Sequence, residues 1–292
     1  MSKAKLISAV ILTYNEEKHI KRCIESISHV VEKIYVLDSF SSDKTLDILS
    51  EFDNVTVKQN KFINHATQFN HALNVFDISS EWVMRIDADE FIDLDLKSWL
   101  STRLMGLPKN ICGVNVNRHM TFMSNPLVYG GMSAYWMLRI WRNGYGHCEQ
   151  RWMDEHMVLS SGLTVKANGK LIDDNLNTLS WWAHKHVDYS TREAIDILIS
   201  EKTTDAHVDT VRKLKGLYNK VPLFIRPFLY FLYRYFFRLG FMDGKIGFLW
   251  CFLQGFWYRM MVDAKVFEIK SEAKKHNKSI KDVIKDKYGY EV

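Results

Sequence analysis

Asp87 and Asp89, one residue apart in the run Glu81-Trp-Val-Met-Arg-Ile-Asp-Ala-Asp-Glu90, carry the clearest chemical signal in this sequence. An apolar, β-prone stretch ending in clustered carboxylates reads as a buried strand that delivers acids at its C-terminal tip. Open α/β sheets bind ligands at that edge. Two such carboxylates can face one hard divalent cation, and Mg²⁺ or Mn²⁺ takes oxygen ligands while keeping positions for phosphate oxygens. An isolated pair of acids at this spacing is more often a solvated loop, so the elements around it decide.

The N-terminal part of the chain alternates strand and helix signals. Residues 6–12 read as an apolar strand, 16–27 show helical spacing through Ile20, Cys23, Ile24 and Ile27, and 33–37 form a second strand ending at Asp38. Ser42 or Asp43 is an N-cap for a helix through Leu46, Ile48 and Leu49. A third strand at 55–57 and a helix at 64–76 lead to the strand that carries the acids. This order predicts a mostly parallel, doubly wound sheet covered on both faces.

Beyond residue 110 the texture changes. Residues 112–117 and 135–141 read as strands, separated by turn signals at Asn125-Pro126 and Gly130-Gly131. Residues 143–156 form a polar, aromatic-studded loop rich in functional side chains. A hairpin is expected at 160–175 and a helix at 189–203. Residues 224–256 are crowded with Phe, Tyr, Trp and Leu, yet Arg226, Arg234, Arg238, Asp243 and Lys245 interrupt them. The longest uncharged stretch, 246–258, is roughly 13 residues, short of the ~20 of a spanning helix. Two aromatic helices with arginines along one flank fit an interfacial arrangement on a membrane. A helical pair packed on the main domain or in a dimer interface is the alternative. The Lys-rich tail, 270–287, also suits anionic headgroups.

Composition narrows the function classes. A chain of 292 residues holds one large domain, or one domain with a helical appendage. A net charge of +5 is compatible with anionic substrates or an anionic lipid surface, and too weak to argue for nucleic acid. Cys23, Cys112, Cys148 and Cys251 are scattered without a C-x-x-C pair, which points to a reducing compartment and no structural zinc. The first apolar run is too short, and too soon followed by charges, for a signal peptide; a cytosolic protein is expected.

Three strand ends converge on one sheet edge: Thr13-Tyr-Asn-Glu-Glu17, Asp38-Ser-Phe-Ser-Ser-Asp43 and Asp87-Ala-Asp89. Hydroxyls, carboxylates and helix N-termini around a cation suit a nucleotide with a diphosphate. Neither a P-loop nor a Gly-x-Gly-x-x-Gly follows the first strand. At these residues the chain resembles family 2 glycosyltransferases of the GT-A fold. The runs Ala9-Val-Ile-Leu-Thr-Tyr-Asn-Glu-Glu17, Val36-Leu-Asp-Ser-Phe-Ser-Ser-Asp-Lys-Thr45 and Arg85-Ile-Asp-Ala-Asp-Glu90 match successive family signatures in order and spacing. More loosely, Trp152-Met-Asp-Glu-His156 and the aromatic helices resemble bacterial members that build lipopolysaccharide core, O-antigen or capsule.

The resemblance implies roles. Thr13, Tyr14 and Asn15 line the nucleotide pocket, with Glu16 assisting. Asp38 accepts a hydrogen bond from the base, most often uracil, while Ser39 and Asp43 shape the loop; a helix N-cap explains Asp43 without any ligand. Asp87 holds the ribose or the metal shell, and Asp89 ligates the Mn²⁺ or Mg²⁺ that bridges the diphosphate. The chain departs from the family at Phe40, commonly Gly. It departs again at Gln68-Phe69-Asn70, where many relatives place an Arg before the Asn. Arg85, Arg139 and Arg142 are candidates for that cationic contact. Family members invert the anomeric centre in one in-line displacement, which needs a carboxylate base near the acceptor hydroxyl. Glu155 is the first choice and Asp154 the second; an ion pair with Arg151 is the plainer use of the pair. An H-x-H at His184 and His186, read on a strand, puts both rings on one face and lets His186 complete the metal shell, although a histidine packed beside Trp181 and Trp182 is the commoner outcome. His147 and His156 are acceptor contacts, and Trp136, Trp141 and Trp152 stacking faces for a sugar.

The expected architecture is a GT-A catalytic domain over 1–205, with a nucleotide-binding half at 1–110 and an acceptor-binding half at 111–205. A helical, membrane-associating region follows at 206–292. The expected function is metal-dependent, inverting transfer of a sugar from a nucleotide-sugar donor, UDP-linked, to a saccharide or lipid-linked acceptor of bacterial surface polysaccharide, at the cytoplasmic face of the inner membrane. One rival is a sugar nucleotidyltransferase of related fold, disfavoured by the acidic first loop. The other is a non-catalytic, membrane-associated partner, disfavoured by the retained carboxylates.

Overall fold

A computed structural model describes residues 6–132, 135–150, 155–200, 218 and 221–290. Strand β1 (Ile7–Thr13) is buried almost throughout, as an apolar run without alternation requires when both sheet faces are covered. Parallel neighbours β2 (Lys33–Asp38) and β4 (Trp82–Arg85) flank it, and β3 (Val55–Gln59) extends the sheet beyond β2. Helices α1 (Ile20–Ile27), α2 (Thr45–Leu49) and α3 (His65–Val75) make the connections. Helix α1 buries Ile20, Cys23, Ile24 and Ile27, the stripe its spacing predicts. Asn64 caps α3 by accepting the Thr67 N–H.

The other half of the sheet is mixed. Strand β8 (Tyr135–Arg142) runs antiparallel between β4 and β6 (Ile111–Phe122). Strand β11 (Leu163–Asp173) lies parallel to β6 and antiparallel to β5 (Glu90–Ile92), giving the order β3-β2-β1-β4-β8-β6-β11-β5. The short β7 (Asn125–Pro126) pairs with the end of β6, and β9 (Gly146–Cys148) forms a separate ribbon with β10 (Met157–Leu159). The expected α/β architecture is therefore present. The expected hairpin at 160–175 is not: Gly162, at φ 90°, turns the chain into β11, whereas Gly169 marks a bulge within it. Helix α4 (Leu94–Arg103) packs on β11, and Asp93 Oδ1 accepts N–H groups from both Leu96 and Lys170.

The chain divides into two compact units, residues 1–127 with 132–177, and 128–131 with 178–292. The second unit holds α5 (Leu179–Ser200), α6 (Ile225–Leu232), α7 (Gly244–Trp250), α8 (Tyr258–His276) and α9 (Ile280–Tyr288). A π-helical turn, Tyr233–Phe237, continues α6, and another, Cys251–Trp257, joins α7 to α8. The division falls after Asn177 rather than at 205 because α5 belongs with the C-terminal helices: Ala194, Ile195 and Leu198 share a core with Val262, Val266 and Ile269. Helix α5 also starts ten residues before the expected 189, since Trp182 packs on Trp250 and Trp257. Residues 201–203 of that expected helix lie outside the described residues.

Two glycines test this packing. Gly169 has φ 98°, and a Cβ there would sit 2.0 Å from the Leu96 nitrogen. In urea unfolding, Gly169→Ala is expected to destabilise the first unit by more than about 2 kcal/mol. Gly144→Ala, at φ 85° with nothing within 4 Å, meets only backbone strain and is expected to cost about 1 kcal/mol.

Candidate functional site

Register brings the three predicted loops to one edge. Thr13 pairs with Asp38 and Val10 with Arg85, so the segments after β1, β2 and β4 leave the sheet together. The first two loops are interlocked. Asn15 N donates to Ser41 Oγ at 2.8 Å, and Ser42 N returns a bond to Asn15 Oδ1 at 2.8 Å. Glu16 N donates to Thr45 Oγ1 and Glu17 N to Asp43 Oδ2. Asn15 sits at φ 57°, a conformation Asn tolerates better than most residues. Burial would raise the Asp43 carboxyl, yet hydrogen bonds from Thr45 and the Glu17 N–H hold it below its ordinary range.

Asp38 is fully buried. Its Oδ1 accepts from Thr13 Oγ1 at 2.9 Å and Ser41 Oγ at 2.5 Å, and its Oδ2 from Ser41 N at 2.9 Å and Gln59 Nε2 at 3.0 Å. A carboxylate offers about four lone-pair positions, and all are taken within the protein. The base contact implied for Asp38 therefore finds no open acceptor in this arrangement; the carboxylate organises the loops. Tyr14 and Phe40 instead present their rings to solvent, 61% and 58% exposed. Phe40 holds φ 62°, the left-handed conformation that a glycine adopts without strain. The backbone shape suited to the family's usual glycine is kept, with Phe bearing a strain of about 1–2 kcal/mol. In place of the missing arginine, Gln68 Nε2 donates to Ser39 Oγ and Asn60 O, a neutral tie to α3.

Below the third loop lies a chain of charges that runs from the half-exposed Asp87 to the buried Glu90. Asp87 Oδ2 accepts from Arg139 Nη2 at 3.0 Å, and its Oδ1 faces Arg85 Nε at 3.3 Å. The same Arg139 nitrogen reaches Glu90 Oε1 at 2.6 Å, and Arg118 joins Glu90 to Asp173. Burial, opposed by Arg139, pushes the Glu90 carboxyl up to about 7, and burial opposed by Arg118 pushes Asp173 up to about 6. Burial would raise Asp87 too, but Arg139 and Arg85 hold it well below the usual carboxylate range. Arg142 leaves the list of diphosphate contacts: it pairs with Trp82 at the opposite end of β4, and its guanidinium binds Glu81 and the Ile111 carbonyl.

Asp89 is held differently. Its Oδ2 accepts from Asn175 Nδ2 at 3.0 Å, and its carbonyl accepts from Asp174 N at 3.1 Å. Arg22 pairs with Asp174 at 2.5 Å. His19 bridges to the first loop, Nε2 accepting the Leu176 N–H while Nδ1 meets Glu16 Oε2 at 2.7 Å. Sequence reasoning missed Arg118, Asp173 and the Asp174-Asn175 pair. The signal was available, for Asp173-Asp174-Asn175 repeats the strand-end polar cluster of 87–89, but the hairpin reading hid it.

A cleft of about 360 Å³ adjoins Asp87, lined among others by Arg85, Arg118, Trp136, Arg139 and Glu155. His156 also lines it. Asp87 and Glu155 thus share a cavity, whereas Asp89 is not part of its wall. Asp154, with Arg151 and Trp152, lies outside the described residues. Trp141 is a core residue packed on Phe69 rather than a stacking face. His147 lies in the β9–β10 ribbon. His184 and His186 are on helix α5, not a strand, so two residues of separation turn them to different faces. His186 stacks on Trp182 at 3.7 Å, with Nδ1 bonded to the Trp182 carbonyl, and burial lowers its pKa. The shared-face premise for His186 as a ligand fails.

Among the described residues, no group of three or more His, Cys, Asp and Glu side chains is arranged to hold a metal ion. Asp89 and Asp87 are hard oxygen donors, and Asp87 is the more committed, to two guanidinium groups. Such a set fits a Mg²⁺-class ion held by one or two carboxylates and completed by phosphate oxygens, not an all-protein cage.

Parallel strands ending in interlocked loops, with an acidic turn and an adjoining cleft, thus gather at one edge of the sheet. Residues 8–146, which contain all three loops, match the family model for Glycosyl transferase family 2. That segment is similar to family 2 glycosyltransferases and lies on a mixed α/β sheet. The SPbeta prophage-derived glycosyltransferase SunS of Bacillus subtilis (strain 168) is 38% identical over 94 residues, covering 31% of this chain and 22% of that protein. An uncharacterized glycosyltransferase of Rickettsia bellii (strain RML369-C) is 33% identical over 32% of this chain and 31% of its own length. The chain therefore covers less than a third of each of these relatives. Lipopolysaccharide core biosynthesis glycosyltransferase LpsC of Rhizobium meliloti (strain 1021) is 26% identical over 90% of this chain and 92% of that protein.

The saturation of Asp38 makes a direct prediction. Asp38→Asn replaces an acceptor oxygen with an amide that faces donors, and is expected to destabilise the first unit by about 1–3 kcal/mol without any nucleotide present. Urea unfolding of the ligand-free protein measures it.

Proposed function

We propose that the first unit transfers a sugar from a nucleotide-sugar donor, a uridine diphosphate sugar, to an acceptor hydroxyl with inversion at the anomeric carbon. The observation that carries this reading is the meeting of Asp87, Arg85, Arg139 and Glu155 in one cleft, beside loops that lie inside the family 2 segment. In this reading residues 1–110 bind the nucleotide and the following strands the acceptor. Tyr14 and Phe40 flank the base with exposed rings, while Asp38, Ser39 and Asp43 hold the loop that presents them. Asp89, supported by Asp87, would hold Mg²⁺ or Mn²⁺, whose charge offsets that developing on the departing diphosphate.

Glu155 takes the proton from the acceptor hydroxyl as it attacks, and the cleft's arginines keep Asp87 ionised and fixed. Trp136 offers a face for a sugar ring. The likeness to LpsC over most of both chains supports a saccharide or lipid-linked acceptor of the lipopolysaccharide class, and the proposal places the transfer at the cytoplasmic face of a membrane.

Two substitutions test the assignment. Asp89→Ala is expected to abolish transfer, read as nucleoside diphosphate release, with its unfolding midpoint little changed; full activity would remove the metal role. Glu155→Gln is expected to lower kcat by about 10²–10⁴ with nucleotide affinity unchanged. An unaltered kcat would send the base role elsewhere.

A further inference from the structure

In the second unit, one helix is turned inside out. At about 100° per residue, Ile225, Phe228, Leu229, Tyr233, Phe236 and Phe237 of α6 and its π-helical turn fall on one side, and all are exposed, Phe237 at 79%. Two arginines of the same segment are buried instead, Arg226 at the border of that side at 2% exposure and Arg234 across from it at 6%. Arg226 Nε donates to Asp263 Oδ1 at 2.7 Å, and Arg234 Nε to the Gly130 carbonyl at 2.8 Å. A helix facing water does the reverse, because buried guanidinium groups cost free energy unless paired and exposed rings gain nothing from water.

The apolar face continues across the next helix. Phe231 meets Phe248 and Phe252 edge to face at 6.3 Å, and Phe241, Phe248 and Phe252 are themselves substantially exposed. Clustered exposed rings of this kind mark interaction or membrane surfaces rather than scattered surface residues. Its charge is net positive. Asp243 is occupied in accepting the Val128 and Tyr129 N–H groups, while Arg238 and Lys245 are exposed. No described helix is long and apolar enough to cross a membrane.

We propose that this face, from Ile225 to Phe252, docks on a bilayer surface with anionic headgroups, its rings in the acyl boundary and Arg238 and Lys245 at headgroup level. Such a geometry lies on a membrane without spanning it. The proposal deepens the membrane-surface reading above by naming the face and the lipid charge. Vesicle binding is read without turnover, so its failure leaves glycosyl transfer standing, and the reverse also holds.

The test is flotation of the full chain with vesicles of phosphatidylcholine alone, and of phosphatidylcholine mixed with phosphatidylglycerol. The wild type is expected to float with the mixed vesicles and to be partly released by high salt. Phe228→Ser/Phe236→Ser/Phe237→Ser is expected to lower partitioning about tenfold or more on mixed vesicles. Arg238→Glu/Lys245→Glu is expected to lower it severalfold on mixed vesicles alone. Should the triple variant fail to fold, the single Phe237→Glu, at the most exposed ring, carries the same test with a severalfold loss. The proposal is overturned if the wild type stays in solution. It is equally overturned if the aromatic variants float as well as the wild type, or if the face proves to join two copies, seen as a wild-type dimer that the variants dissociate without any vesicle binding.

Discussion

The guanidinium of Arg139 is almost fully buried at the functional edge of the sheet, with carboxylates of Asp87 and Glu90 on one of its nitrogens. Arg118 continues the chain to Asp173, and Arg85 flanks Asp87 from the other side. The Arg139–Glu90 pair is buried, while Asp87 and Arg118 beside it are partly open to the cleft. Buried charges of this kind are tolerated only as a set, since removing one partner leaves another uncompensated, at about 3–5 kcal/mol. The set joins the turn after β4 to β5, β6, β8 and β11. It fixes where Asp87 points, and through the neighbouring Asp174-Asn175 segment the structure also fixes Asp89.

What the sequence disclosed follows from what is local. The strand ends at Thr13, Asp38 and Asp87 were legible because apolar runs followed by polar clusters are contiguous in the chain, and parallel β-α-β order puts them on one edge. The stripe of α1 was legible for the same reason. The saturation of Asp38 was not, because Thr13 and Gln59 lie 25 and 21 residues away and only register brings them together. Arg118 and Asp173 were hidden similarly, since they meet only through the parallel pairing of β6 and β11. His184 and His186 misled because an aromatic and histidine-rich run has no decisive period; packing of Trp182 against Trp250 and Trp257 makes it a helix.

Arginine burial links the chemistry of the two units, taken separately. In the first, buried guanidinium groups hold the acidic turn rigid. In the second, Arg226 and Arg234 turn inward to Asp263 and Gly130, which leaves phenyl rings outside. The same residue type that a composition reading assigns to a solvated flank is interior in both. Phe40 makes a comparable point on a smaller scale: an exposed ring on a left-handed backbone is a strained choice, placed beside the loops proposed to receive a base.

Calorimetric titration of uridine diphosphate into the full chain, with Mn²⁺ and then with the ion chelated, tests the central claim most directly. If the three strand-end loops and the acidic turn form one cation-completed diphosphate site, saturable one-to-one binding with Mn²⁺ is expected to weaken by at least about tenfold on chelation. Equal affinity in both conditions, or no binding in either, would contradict it.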